Sequence, residues 1–316
     1  MRSYSLLAPA KINLCLEIIG NRPDGFHELV MVLQSVELAD IVDIQTSDTQ
    51  DIYLQCEHLQ VPADETNLAY RAAELMCQSF PEMYANYGGV AIRIKKNIPV
   101  AAGLAGGSSN AAAVLVGINL IWKLGLTQPE LQDLAAKLGS DIPFCISGGT
   151  ALATGRGEKL ATLNNLSNIW VVLAKYDNIS VSTPWAYQTY RQQYGDTYVD
   201  NIVGTRTAMA QVHSSPLLKA IAKHDKVEIG RLIYNNLEKV VLPKYPQVAE
   251  LKSAFAKGDI LGTMMSGSGP TVFALCESEN KAIAVRQLVK NQINDPHLNL
   301  WITKLTSQGI QILSSQ

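Results

Sequence analysis

The stretch "PVAAGLAGGSSNAAAVLVGINL", residues 99–120, decides how the rest of the chain is read. Gly103, Gly106 and Gly107 let backbone N–H groups approach a ligand with no side chain in the way. An alanine-rich helix follows, and its first N–H groups lack helical partners and carry a partial positive charge. Both features favour an anion, which makes the loop a candidate phosphate site. The loop is not a Walker A motif, because Ser108 and Ser109 stand where that motif needs Lys-Ser, and it is not GxGxxG either. On these residues alone, a glycine turn that merely packs strand against helix is the alternative. The helix is expected over Ser109–Lys123, capped by Ser108 or Ser109 and ended by Gly125.

A second glycine element, "SGSGPT" at 266–271, sits inside the strand-like "GTMMSGSGPTVFALCES"; by itself it reads either as a hairpin turn that brings backbone to a second phosphate or as an ordinary Gly-Ser-rich β-turn. Two such elements in one chain reinforce each other.

Outward from the loop, strand and helix patterns mix. Ile12, Leu14, Leu16 and Ile18 recur with period two, the mark of a strand, and "NRPDGF" (21–26) reads as a tight reversal. Strand-like runs follow at 29–36, 41–46, 52–56 and 90–99. Residues 66–80 switch to helical spacing, with Leu68, Ala72, Leu75 and Met76 on one face. Residues 127–139 open with the capping pair Thr127 and Glu130. Beyond a seam after Leu163 come a strand at 169–176 and helices near 184–194, 205–213, 216–224 and 246–256. Without regular βαβ alternation, the chain is α+β, with expected domains 1–163 and 164–316.

Composition narrows the function classes. The 316 residues include 26 basic and 28 acidic side chains, a net charge of −2, and 17% charged residues overall. That balance speaks against an electrostatic nucleic-acid or membrane footprint while leaving room for a local basic pocket. Five cysteines, with no CxxC pair, fit a reducing compartment better than a disulfide framework. No export signal or membrane-spanning run is evident, so the cytoplasm is the expected location.

Two ionisable residues stand out. Lys11 heads the first strand in "APAKINL". Asp141, in "LGSDIPF", follows an expected helix C-terminus, a poor place for a carboxylate, and precedes an apolar run. A carboxylate placed so calls for a cation or a substrate partner. Lys11 is one candidate, although spacing alone does not select it.

Together, "APAKINL", "PVAAGLAGGSSNAAA" and "MMSGSGPTVFAL" resemble, in order, the three signatures of the galactokinase–homoserine kinase–mevalonate kinase–phosphomevalonate kinase (GHMP) superfamily. "RPDGFHEL" narrows the resemblance to a branch that phosphorylates a cytidine-diphosphate-linked alcohol in isoprenoid precursor synthesis. The resemblance implies an N-terminal half like ribosomal protein S5 and a ferredoxin-like C-terminal half, with ATP as co-substrate and Mg2+.

It further implies Lys11 and Asp141 as the catalytic pair. ATP would be bound by Pro99, Gly103, Leu104, Ala105, Gly106, Gly107, Ser108 and Ser109, with Asn67, Leu68 and Lys96 near the adenine and Gly267, Ser268 and Gly269 closing the phosphates. Ser108 is the best candidate for a magnesium ligand. Asn13, Phe26, His27 and Tyr187 would hold the substrate: His27 reading the cytosine, with the rings of Phe26 and Tyr187 on its two faces. Phe26 stands where relatives often carry tyrosine. The alternatives are a homoserine- or mevalonate-type kinase and a catalytically silent ligand sensor. Oligomeric state, monomer or weak homodimer, is left open.

Overall fold

The structure is a computed structural model that describes residues 3–198 and 215–315. The helix expected at 205–213 lies outside the described residues. Two long strands carry the frame. β1 (Ser3–Asn21) and β2 (His27–Thr46) pair antiparallel from Asn21 opposite His27 to Ser3 opposite Gln45, across the expected reversal. β2 is one strand where the sequence pattern suggested two. The apparent break at Asp40 is a carboxylate with no exposed surface, so a charge that reads as a loop residue is a buried ion-pair partner.

β3 (Ile52–Cys56), α1 (Leu68–Ser79), α2 (Pro81–Tyr87) and β4 (Val90–Lys95) follow, β4 pairing with the Ile41–Thr46 end of β2. Beyond the glycine loop come α3 (Gly106–Ile121), α4 (Gln128–Ala136) and α5 (Ile142–Ser147). β5 (Thr150–Gly155) then joins the other half of β2, Leu29–Gln34, and β6 (Lys159–Thr162) pairs with β5. Ala111–Leu115 of α3 have no exposed surface, which explains a helix apolar all round its circumference. α4 carries the expected Thr127–Glu130 capping box.

β7 (Trp170–Tyr176) starts a second sheet, and α6 (Thr183–Tyr194), α7 (Pro216–Ala222) and α8 (Lys226–Leu232) come after it. β8 (Tyr234–Asn235), α9 (Glu238–Lys244), α10 (Pro246–Phe255), β9 (Gly262–Met265) and β10 (Val272–Cys276) continue the chain. α11 (Glu279–Gln292), β11 (Leu298–Lys304) and β12 (Gln311–Ser315) complete it. The second sheet is antiparallel in the order β11-β7-β10-β9, whereas β8 and β12 return to β1 in the first. Both halves share a core: Ile12 and Leu14 of β1 pack in one cluster with Val171 and Leu173 of β7. Among the described residues, no helix is long and apolar enough to cross a membrane.

Candidate active site

A register shift between β1 and β2 shapes the site. The register against β2 shifts between Pro9 and Lys11, and such a bulge frees backbone groups and re-aims side chains. The freed groups hold the glycine loop. Lys11 N–H donates to the Leu104 carbonyl at 3.1 Å, and Ser109 Oγ donates to the Pro9 carbonyl at 2.7 Å. The Lys11 side chain, only 4% exposed, lines a cavity of about 720 Å3. Its Nζ donates to Asn13 Oδ1 at 2.7 Å and stands 3.6 Å from Asp141 Oδ2.

Asp141 follows the end of α4, as the sequence suggested, and a second helix begins directly after it. It occupies the boundary position before α5 and makes no capping bond there, so its carboxylate is left for the cavity and for Lys11.

The expected start of α3 is corrected. α3 begins at Gly106, three residues early, because Ala105 takes the left-handed conformation (φ 57°) and no side chain caps the end. Its first paired N–H is that of Ser109, bonded to the Ala105 carbonyl at 2.8 Å. The N–H groups of Gly106, Gly107 and Ser108 therefore have no helical partner and remain available to an anion. Ser109 is fully buried and its hydroxyl is committed to Pro9, so it holds the loop rather than a phosphate. Ser108 lines the cavity.

Gly103 has φ +72°, and a Cβ there would collide with the Ser266 carbonyl. Its absence lets the loop and the 266–269 turn touch backbone to backbone. Ser266 Oγ donates to the Gly103 carbonyl at 3.1 Å, and Gly269 N–H closes the turn onto the Ser266 carbonyl at 2.9 Å. Buried Asn235 of β8 donates to the carbonyls of Met265 and Gly267, both at 2.8 Å. Ser268 Oγ lies 2.8 Å from Thr183 Oγ1 at the start of α6. Gly103, Ala105, Gly267 and Ser268 thus line the same cavity as Lys11 and Asp141.

Asn13, Phe26, His27 and Tyr187 line that same cavity. The rings of His27 and Tyr187 have centroids 5.2 Å apart at 33°. Phe26 is half exposed, and the Arg156 guanidinium sits 4.9 Å over its ring. Burial first, and the Arg191 charge second, depress the His27 pKa to about 4, so the imidazole is neutral. Burial, with Asp141 adding to it, pushes the Tyr187 phenol up.

The remaining residues fall elsewhere. Lys96 does not face the cavity: its ammonium pairs with the buried Asp40 carboxylate and donates to Asn110 Oδ1 at 3.2 Å. Asp40 also accepts from the N–H groups of Asn97 and Ile98 and from Asn110 Nδ2. This network anchors the start of the glycine loop to α3. Asn67 caps α1 by accepting from Ala69 N–H at 2.9 Å, and Leu68 lies against Gly107. Leu104 is buried in the core between the sheets. Pro99 lines a second cavity of about 540 Å3 with His58, Lys175 and Trp301.

Sequence reasoning missed Arg156 and Arg191, both on the main cavity. Each had a signal: Arg156 sits in a Gly-Arg-Gly turn, and Arg191 follows Tyr187 by one helical turn. With them, among the described residues, the cavity holds three cations, Lys11, Arg156 and Arg191, against the single carboxylate of Asp141. It is a basic pocket in a chain of net charge −2.

The chain matches the models described as the GHMP kinases N terminal domain, over residues 67–149, and GHMP kinases C terminal, over 217–295. It is 60% identical, over 99% of both chains, to the 4-diphosphocytidyl-2-C-methyl-D-erythritol kinase of Gloeothece citriformis. A crystal structure of 4-(cytidine 5'-diphospho)-2C-methyl-D-erythritol kinase superposes with a TM-score of 0.72 at 30% identity, over 95% of this chain and 98% of that one. Homoserine kinase from Cytophaga hutchinsonii superposes with a TM-score of 0.75 over 98% and 97% of the chains. At 18% identity it shares the fold alone.

Proposed function

The chain belongs to the GHMP kinase family, among its 4-diphosphocytidyl-2-C-methyl-D-erythritol kinases, and from that premise we propose how its residues divide the reaction. The enzyme phosphorylates 4-diphosphocytidyl-2-C-methyl-D-erythritol with ATP in the non-mevalonate route to isoprenoid precursors. The acceptor is the 2-hydroxyl, and the products are the 2-phosphate and ADP. One observation carries the residue assignment: a single cavity is lined by Ala105 and Ser108 at the uncapped start of α3, by the Lys11–Asp141 pair, and by His27 and Tyr187.

The open N–H groups of Gly106, Gly107 and Ser108 receive the triphosphate, and the backbone of Gly103, Gly267, Ser268 and Gly269 closes round it. Asn67, Leu68 and Pro99 border the adenine side, where Lys96 acts from below by bracing the loop. As the substrate oxygen bonds to the γ-phosphorus, the bond from that phosphorus to the bridging β,γ oxygen breaks and ADP leaves. The hydroxyl proton passes to Asp141, late in a loose transition state that asks little activation of the nucleophile. Lys11 holds the Asp141 carboxylate and neutralises charge at the transferring group. Asn13 fixes Lys11 and contacts the substrate.

Phe26 and Tyr187 flank the cytosine and His27 reads its edge, with Arg156 free to turn from Phe26 toward the diphosphate. Among the described residues no group of three His, Cys, Asp or Glu side chains forms a metal cage. The hydroxyls of Ser108, Ser140, Thr183 and Ser268 and the Asp141 carboxylate are hard oxygen donors that line the cavity, and Ser108, at the open start of α3, is our candidate for holding Mg2+, which takes few protein ligands and most of its shell from water and phosphate. Bound there, Mg2+ would neutralise phosphate charge. We take 1–163 and 164–316 as the halves that form the cleft. We place the enzyme in the cytoplasm, where its nucleotide substrates are made.

The test is magnesium-dependent ADP release with the diphosphocytidyl substrate, homoserine and mevalonate in parallel. Turnover confined to the cytidine compound is expected. Turnover with another alcohol instead would overturn the substrate assignment while keeping the catalytic pair.

A further inference from the structure

Arg191 reaches back from α6 to the reversal between β1 and β2. Its Nε–H donates to His27 Nε2 at 3.3 Å, and its Nη2–H donates to the Gly25 carbonyl at 2.8 Å. A guanidinium carries five N–H donors and no acceptor. The His27 nitrogen facing it must therefore present a lone pair, so Nε2 carries no proton.

The surroundings keep the ring neutral. His27 is 7% exposed, with Tyr187 on one side at 5.2 Å and Tyr198 edge-on at 5.8 Å. Among the described residues, the two phenols and the Arg191 cation are the titratable and charged groups that face it. No carboxylate pairs with it among the described residues. A neutral imidazole with an unprotonated Nε2 carries its one proton on Nδ1. Nδ1 has no hydrogen-bond partner among the described residues, and the ring lines the cavity.

We infer that Arg191 is a specificity-determining positioning residue: by occupying His27 Nε2 it holds the ring as the Nδ1–H tautomer, so that His27 offers the base a donor and never an acceptor. This rests on the proposed reading of His27 as the residue that meets the base. The ring nitrogen N3 of cytosine is an acceptor and matches that donor. The same position in uracil is N–H, and two donors would face each other with neither satisfied. Leaving a buried donor unpaired is penalised heavily, whereas a satisfied pair gains little. Arg191 thereby makes a histidine, which could otherwise swap tautomers and accept either base, discriminate between them. Its second bond, to Gly25, fixes the turn that carries Phe26 and His27, so donor and ring are set by the same side chain.

The experiment compares kcat/KM for the cytidine substrate and its uridine analogue in wild type, Arg191→Met and Arg191→Lys, together with 15N NMR of the imidazole in the wild-type enzyme. Wild type is expected to show a protonated Nδ1 and to favour cytidine. Arg191→Met is expected to lose about tenfold or more of that preference, the cost of one mismatched hydrogen bond, with the loss carried by KM. Arg191→Lys, which keeps one donor, should retain part of the preference. A protonated Nε2 in wild type, or an undiminished preference in Arg191→Met, overturns the inference. His27→Ala separates the two levels. If it abolishes the preference while Arg191→Met does not, only the role of Arg191 fails; if it leaves the preference intact, the reading of His27 fails and the inference with it.

Discussion

Lys11 Nζ stands 3.6 Å from Asp141 Oδ2 while donating a 2.7 Å hydrogen bond to Asn13. The lysine thus holds the carboxylate by charge and gives its short hydrogen bond to a neutral neighbour. In the proposed reaction an Asp141 oxygen accepts the proton of a substrate hydroxyl, and the cation beside it stabilises the charge that builds up at the transferring phosphoryl group.

Asp141→Asn keeps the shape and removes the proton acceptor. The kcat is expected to fall by about 10²–10⁴-fold, the usual range for a general base, with ATP binding close to wild type. ADP release and calorimetric ATP titration measure the two effects separately. A kcat within about fivefold of wild type, well below that range, would remove Asp141 from its role.

Ser108 and Ser109 adjoin in sequence and should part in experiment. Ser109→Ala deletes the buried bond to the Pro9 carbonyl and is expected to cost about 1–3 kcal/mol of stability. Ser108→Ala should leave stability within about 0.5 kcal/mol. It should raise the magnesium concentration for half-maximal rate about tenfold, equivalent to one oxygen contact of about 1.4 kcal/mol. Urea unfolding and magnesium titration of ADP release read the two. The opposite pattern would mean that the roles are reversed.

Asp40 is wholly buried and gathers Lys96, Asn97, Ile98 and Asn110 on one carboxylate. Asp40→Asn leaves a buried ammonium without its counter-charge, a change expected to cost about 3–5 kcal/mol. The KM for ATP should rise as well, because the network anchors the glycine loop. A stability loss below about 1 kcal/mol in urea unfolding, far short of the cost of breaking a buried pair, would show that the network is not structural.

The depressed pKa of His27, about 4, fixes the sign of a pH dependence. An unfolded histidine titrates near 6.5, so between about 6.5 and 4 the unfolded chain binds the extra proton. The stabilising contribution of the neutral ring is whole above pH 6.5 and is lost as pH falls through about 4. The KM for the cytidine substrate should accordingly stay flat from pH 8 down to about 5 and rise below that. A KM inflection near 6.5 would contradict a buried neutral ring. His27→Ala should chiefly raise KM at all these pH values.

Much of the fold was legible because it is written locally. Period-two patterning marked β1, the Thr127–Glu130 box marked α4, and the strand–glycine–strand segment marked the β9–β10 hairpin. What misled were charges whose partners lie far along the chain. Asp40 looked like a strand break because Lys96 is 56 residues away. Ser109 looked like a helix cap because Pro9, its acceptor, is 100 residues away.

The sequence alone determined the α+β class, the two glycine elements and the prominence of Lys11 and Asp141, whereas His27 and Tyr187 were marked only by the family resemblance. It could do so because turn chemistry, capping and hydrophobic period act between neighbours. The tertiary structure alone decided which of them share a cavity, that α3 opens uncapped from a left-handed Ala105, and that Arg156 and Arg191 make the pocket basic. Those outcomes depend on the register shift between β1 and β2 and on which buried charges find partners when distant strands and helices close on one another.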